Sequence, residues 1–175
     1  MPKSSRKQID KDEKKVISEL QKNAKESIDE IAKRCDFSRQ KVWRIIKRLE
    51  KNKTIWGYAA IVNEEKQDLK HYIMLIKKTT LPIDEKVADK IITRKLESIA
   101  PKTGVKIENS LYVHGVYDWI ISFTAEDIRQ AKQFCEILNR TYRGYLSEIN
   151  LLEMMFSVRE KGILNPEINK LREFL

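Results

Sequence analysis

Ser38, Arg39, Gln40, Trp43, Arg44, Lys47, Arg48 and Lys51 crowd hydrogen-bond donors, positive charge and one large aromatic into a single short stretch. These side chains suit a polyanion whose surface also carries readable edges. Arginine pairs with guanine and glutamine with adenine, while lysine and arginine neutralise phosphates regardless of sequence. At about 100° per residue along a helix, Gln40, Arg44, Lys47 and Lys51 fall on one side, flanked by Trp43 and Arg48. The opposite side carries Val42, Ile45, Ile46 and Leu49 at the spacing of a buried stripe. Such a helix packs by one face and offers the other to a groove.

The elements around it must hold that face outward. Ser27 and Glu30 have capping-box spacing, which predicts a helix from there through Ile28, Ile31 and Ala32 to about Cys35. Asp36 and Phe37 make the turn, and Ser38 caps the helix that follows. An earlier helix is predicted from Asp10 to about Asn23, with Ile9, Val16, Ile17 and Leu20 as its apolar contacts. All three are too short to be stable alone and must pack together. After Leu49 the run Thr54 to Val62 is β-rich and aromatic, which predicts a wing strand bent at Gly57. Helix, turn and basic helix together form a helix-turn-helix, with residues 38–44 placed to read bases. Lys47, Arg48 and Lys51 then meet phosphates.

Charge is distributed to match. The 175 residues carry a formal net charge of +9, yet up to Gly57 there are 17 Lys+Arg against 9 Asp+Glu, and thereafter 18 against 17. The excess sits in the first third, as expected of one module that binds a polyanion and another that does not. Hydrophobic residues make up 41% and charged residues 35%, enough for a core beneath a soluble surface. Cys35 and Cys135 stand far apart and read as free thiols in a reducing cytosol rather than a disulfide framework. No apolar run approaches the roughly 20 residues that span a bilayer. Residues 1–8 read as a disordered basic arm, not a secretory signal, and the expected location is the cytoplasm.

From His71 the order becomes strand, helix, strand, strand, helix, strand. His71 to Ile76 opens it, and Pro82 and Asp84 introduce a helix through Val87, Ala88, Ile91, Ile92 and Leu96. Val105 to Val113 and Tyr117 to Phe123 follow as strands joined by a tight Gly115-Val116 turn. Thr124 and Asp127 start a helix carrying Ile128, Ala131, Phe134, Cys135 and Leu138, and Ile149 to Val158 is the last strand. This βαββαβ order predicts an α+β fold, a ferredoxin-like sandwich of four antiparallel strands backed by two helices. The first and last strands read as apolar on both faces, so the uncovered sheet face implies a second copy and a homodimer.

With these residues in view, the chain resembles the Lrp/AsnC (feast/famine) family of prokaryotic transcriptional regulators over roughly Ile9 to Val158. The resemblance rests on Asp29-Glu30-Ile31-Ala32-Lys33, on Phe37 to Glu50, on Ile55-Trp56-Gly57-Tyr58, and on Gly115-Val116-Tyr117-Asp118, which matches the family's Gly-x-Tyr-Asp hairpin. It implies a winged helix-turn-helix joined to a dimerising, effector-sensing sandwich. Dimers of such proteins assemble into tetramers or octamers and bind an amino acid beside that hairpin. Gly115, Tyr117 and Asp118 thereby become candidate effector-site residues, against the plainer reading that they serve only the turn. Asp36 and Lys53 stand where the family usually has glycine. Leu81 to Leu111 looks longer than usual, and a tail follows Gly162.

The expected organisation is therefore a basic arm (1–8), a winged helix-turn-helix (9–57), a linker strand and loop (58–70), an effector-sensing and dimerisation module (71–160) and a helical extension (161–175). The expected function is sequence-specific binding of double-stranded DNA under the control of an amino acid or another small effector, without catalytic residues, metal or cofactor. Two rivals remain. One is an architectural protein that coats DNA blindly, although Gln40, Trp43 and Arg44 exceed what a coater needs. The other is an enzyme like the haem-precursor decarboxylases related to this fold. Only His71 and His114 are present to serve one, and residues 61–70 contain neither His nor Arg.

Overall fold

The computed structural model describes residues 6–175. Residues 6–61 group with 158–173 in one compact unit, and residues 62–157 form the other. In the first unit, α1 (Arg6–Lys22), α2 (Ile28–Cys35) and α3 (Arg39–Lys51) enclose Val16, Ile31, Ala32, Cys35, Val42, Ile45 and Leu49, all buried. Both predicted caps form. The Ser27 hydroxyl accepts from the Glu30 N–H at 3.2 Å, and the Ser38 hydroxyl from the Lys41 N–H at 3.3 Å. The turn between them is tight because Asp36 adopts a left-handed conformation (φ 58°), letting the Phe37 N–H reach the Ala32 carbonyl at 2.9 Å.

Three expectations for this unit need correction. Helix α1 begins at Arg6, so the basic arm does not extend to residue 8; good helix formers and the Gln8–Asp12 hydrogen bond across one turn (2.8 Å) carry the helix outward. The part of that arm over residues 1–5 lies outside the described residues. The wing strand expected over 54–62 does not form: Ile55 packs on the core, but residues 56–63 join no sheet. A β-rich run becomes a strand only against a partner edge. The tail is helical only in part, and the helix is 3-10. It forms a short antiparallel pair, β5 (Arg159–Glu160) with β6 (Ile163–Leu164), followed by a 3-10 turn over Ile168–Phe174. Lys161 and Gly162 both take positive φ (45° and 90°), the geometry of a two-residue hairpin turn.

The second unit is the expected antiparallel sheet. Strands β1 (Lys70–Lys78), β2 (Lys106–Tyr112), β3 (Trp119–Ala125) and β4 (Leu146–Glu153) lie in the order β2-β3-β1-β4. One face, with Tyr72, Met74, Ile76, Trp119, Ile121 and Phe123, is covered by α4 (Glu85–Ile92), α5 (Lys95–Ile99) and α6 (Ile128–Thr141). Asp84 caps α4 and Asp127 caps α6, each accepting an N–H at 2.8 Å. The helix expected to run from Asp84 past Leu96 is broken. Thr93 turns its hydroxyl onto the Asp89 carbonyl at 2.6 Å and Arg94 goes left-handed, so α5 starts afresh. Likewise β4 ends at Glu153, not Val158, and β2 and β3 are joined by the six residues 113–118 in place of a two-residue turn.

The uncovered face is mixed. Register places Leu111, Ile120, Leu75 and Asn150 in one row and Asn109, Ser122, Ile73 and Leu152 in the next. Glu148 pairs with Lys77 at 2.7 Å beside them, so β4 is apolar on one side only.

The left-handed backbone at Asp36 costs about 1 kcal/mol in an L-residue with a side chain. Asp36→Gly should therefore raise the unfolding free energy of the first unit by up to about 1 kcal/mol, offset in part by glycine's chain entropy and read as a higher urea midpoint. A lowered midpoint would show that Asp36 is held there by something more than the turn.

Candidate nucleic-acid interface

Helix α3 is oriented by its apolar stripe. Val42, Ile45 and Leu49 are at most 5% exposed; burying each contributes roughly 1.5–3 kcal/mol, enough to fix which side of a 13-residue helix faces inward. All eight candidate residues, Ser38, Arg39, Gln40, Trp43, Arg44, Lys47, Arg48 and Lys51, consequently come out exposed, with Trp43 half in solvent (51%). The helix is about 20 Å long and narrow enough for a duplex major groove about 12 Å wide.

Exposure does not make the cations equivalent. Arg44 sends only its Nε to the Gln40 carbonyl, a long 3.4 Å, which leaves the fork of the guanidinium outward. Lys51 makes no ion pair among the described residues. Arg39 is loosely paired with Asp29 at 3.4 Å, both being well exposed. Lys47 bridges to Glu50 at 2.9 Å, and that bond holds the Glu50 carboxyl below its ordinary value. Glu50 also accepts from the Tyr58 hydroxyl at 3.1 Å. Arg48 is different in kind: its Nε donates to Glu13 at 2.7 Å, tying α3 to α1. Arg44 near the start of α3 and Lys51 at its end thus retain the most unused donors.

A residue pair that sequence spacing did not reveal braces the same helix. Lys41 reaches Asp12 of α1 at 2.7 Å and also stands 3.7 Å above the Phe37 ring. Lys15 lies 5.5 Å from that ring. Asp12 is almost fully buried, which by itself would push its carboxyl up, but hydrogen bonds from Lys41 and Gln8 and the nearby positive charges hold it below its ordinary value. Asp12 and Lys41 stand 29 positions apart, and no local pattern announces the pair.

In the second unit the three effector candidates have unequal settings. The Asp118 carboxylate accepts the Lys78 backbone N–H at 2.9 Å, and the Asp118 N–H donates to the Ile76 carbonyl at 2.9 Å, so Asp118 pins the 113–118 loop to the end of β1. The Tyr117 ring lies under the Lys77 ammonium at 5.3 Å, with its hydroxyl 3.5 Å from the Asn150 amide. Gly115 has open space where a Cβ would sit. A cavity of about 250 Å³ touches Asp118 and His114 but neither Gly115 nor Tyr117. The two histidines do not converge. His71, 3.3 Å from Glu108, faces Thr124 at one end of the sheet, and His114 lies in the loop beyond the other end. Among the described residues no group of three or more His, Cys, Asp or Glu could hold a metal ion, and no helix is long and apolar enough to cross a membrane.

Comparison with known proteins agrees with this geometry. Residues 9–55 match the family of winged helix-turn-helix DNA-binding domains. The chain is similar in structure to a feast or famine regulatory protein from M. tuberculosis complexed with L-methionine (TM-score 0.68, 20% identity, 87% of this chain and 95% of that one). It is also similar to the leucine response regulatory protein of Mycobacterium tuberculosis (0.66, 18%, 86% and 94%). A third likeness is to a transcriptional regulator–L-Met complex from Neisseria meningitidis (0.62, 16%, 94% and 98%). No curated protein matches the sequence.

Because the Asp12 carboxyl is depressed in the folded state, its stabilisation is present above the ordinary value of 3.8 and is lost as pH falls through the folded value. Asp12→Asn should cost about 1–3 kcal/mol at pH 7, and the gap to the parent should narrow below pH 3.8. Urea midpoints across that range check it; a gap of constant size would mean that the charge of Asp12 contributes nothing.

Proposed function

We propose that this chain, which has the two-module fold of the Lrp/AsnC regulators, is a sequence-specific DNA-binding transcriptional regulator. The observation that carries the reading is the division of α3 into a buried apolar stripe and an exposed basic face that begins at the Ser38 cap. Arg39, Gln40, Trp43 and Arg44 read base edges, since Arg44 holds its fork unpaired and Gln40 lies one turn before it. Lys47, Arg48 and Lys51 lie toward the C-terminal half and meet phosphates. Arg48 does so while anchored to Glu13, so its charge arrives pre-positioned.

The chain works as a homodimer. Leu75, Ile73, Ile120, Leu111 and Leu152 lie on a sheet face that no helix covers, and Leu111 and Leu152 are 51% and 47% exposed. A second copy would remove that area from water. It would also bring two copies of α3 to one duplex, where sites about one helical turn apart match a two-fold protein. Higher assembly of dimers follows the family pattern. A helix-turn-helix ending near 57, a linker to 70 and a sandwich to 160 are the working division of labour.

The regulator answers a small effector, an amino acid by analogy with the L-methionine complexes, at the loop containing Gly115, Tyr117 and Asp118. Asp118 serves both the loop's geometry and the ligand: one carboxylate oxygen is spent on the Lys78 N–H, and the other remains for a donor. The protein acts in the cytoplasm, where the genome is.

Arg44→Ala should relax base preference at one position of each half-site, costing roughly 1–3 kcal/mol there; an in-vitro selection that returns the parent's motif would contradict the groove placement. Lys51→Ala should weaken all sequences equally and lower the slope of log K against log[salt] by about 1. A loss confined to one sequence would assign Lys51 to a base instead.

A further inference from the structure

The cavity beneath α4 has a shape and a polarity that the loop reading alone does not use. Its inner wall is aliphatic, from Ile76 and Leu146 of the sheet to Val87 and Ile91 of α4. One side is aromatic: Trp119 stacks on Tyr112 with ring centroids 5.3 Å apart and meets Tyr142 edge-on at 5.5 Å. Its third side carries charge, with Lys78 and Asp118 standing where β1 meets the 113–118 loop. The cavity holds about 250 Å³. An apolar cavity of about 150 Å³ accommodates benzene, and sites for drug-sized ligands begin near 300 Å³. The space therefore suits one ring with a short polar tail, not a nucleotide and not a lone methyl group.

The polar end sets what that tail must be. The Lys78 ammonium is 4.0 Å from the free oxygen of Asp118, too far for a hydrogen bond, while the other oxygen is already held by the Lys78 N–H at 2.9 Å. The cation and the anion at this mouth pair only with each other, and loosely. An acid would satisfy only Lys78, an amine only Asp118; a zwitterion matches both and leaves no charge unpaired. The opening is also fixed. Asp84 accepts the Tyr145 hydroxyl and the Val87 N–H, which ties the start of α4 to the residues after α6. Leu81, Ile83 and Tyr112 at the rim are 58%, 48% and 56% exposed and form an apolar lip.

We propose that this cavity binds a free amino acid with an aromatic side chain, its ring against Trp119 and Tyr142 and its charged end between Lys78 and Asp118. The inference rests on the effector reading of the 113–118 loop, but it places the ligand's ring within a single chain, under α4, and it selects the ligand by size and aromaticity. Gly115 and Tyr117 then shape the loop and do not touch the ring.

Calorimetric titration of the full chain tests it, with L-phenylalanine, L-alanine, L-aspartate and phenylpyruvate as probes. L-Phenylalanine should bind at least tenfold more tightly than L-alanine, which lacks the ring, and than phenylpyruvate, which lacks the ammonium. Ile91→Phe, which fills the cavity, and Leu81→Trp, which obstructs its exposed lip, should each weaken L-phenylalanine at least tenfold while duplex binding persists. Retained duplex binding and an unchanged melting profile show that the variants are folded; Leu81 is exposed enough to tolerate the change if Ile91 is not. Equal affinity in parent and both variants, or L-alanine or L-aspartate binding as tightly as L-phenylalanine, would overturn the cavity assignment and leave the effector reading standing. Absence of heat with every amino acid would sink both.

Discussion

Burial of Val42, Ile45 and Leu49 against Val16, Ile31, Ala32 and Cys35 is the constraint on which the first unit depends. A helix of 13 residues has little stability in isolation, and its own propensity does not say which way it faces. Three buried aliphatic side chains at helical spacing settle that rotation. Once they are inside, Gln40, Trp43, Arg44, Lys47 and Lys51 are outside, whatever their own interactions contribute. The cationic face is thus a consequence of packing, and its charges are spared from holding the fold together.

The exceptions sharpen that point. Lys41 and Arg48 are basic residues of the same helix that do hold the fold, through Asp12 and Glu13 on α1. They brace α3 along the side nearest α1. The cations farthest from that contact keep their donors: Arg44 spends only Nε, and Lys51 has no ion partner among the described residues. Exposed pairs such as Lys47–Glu50 contribute less than about 1 kcal/mol and give way readily to a phosphate. The helix therefore divides its positive charge between an internal brace and an exposed face.

Elements whose signals are local were readable from the residues alone. The caps at Ser27, Ser38, Asp84 and Asp127, the stripe of α3 and the order of the four strands each declare themselves within a few positions. What required three dimensions was less accessible. The Asp12–Lys41 pair bridges two helices, and no periodicity predicts it. Residues 54–62 have strand-forming side chains, but a strand exists only where another edge pairs with it. The break at Thr93–Arg94 turns on one hydroxyl choosing the Asp89 carbonyl. Asp118 was singled out by resemblance, yet its bond to the Lys78 N–H and its place beside a cavity under α4 depend on β1 and the 113–118 loop meeting, forty positions apart.

Hydroxyl-radical footprinting of the full chain with and without saturating duplex DNA addresses the central claim most directly. Trp43 and Trp56 are both open to solvent and Trp119 is buried, so the three tryptophans report separately. The account predicts that duplex DNA strongly suppresses oxidation of Trp43 and leaves the low reactivity of Trp119 unchanged. Trp43 oxidising equally fast in the complex would mean that DNA lies elsewhere and that the basic face of α3 is only a solvated surface.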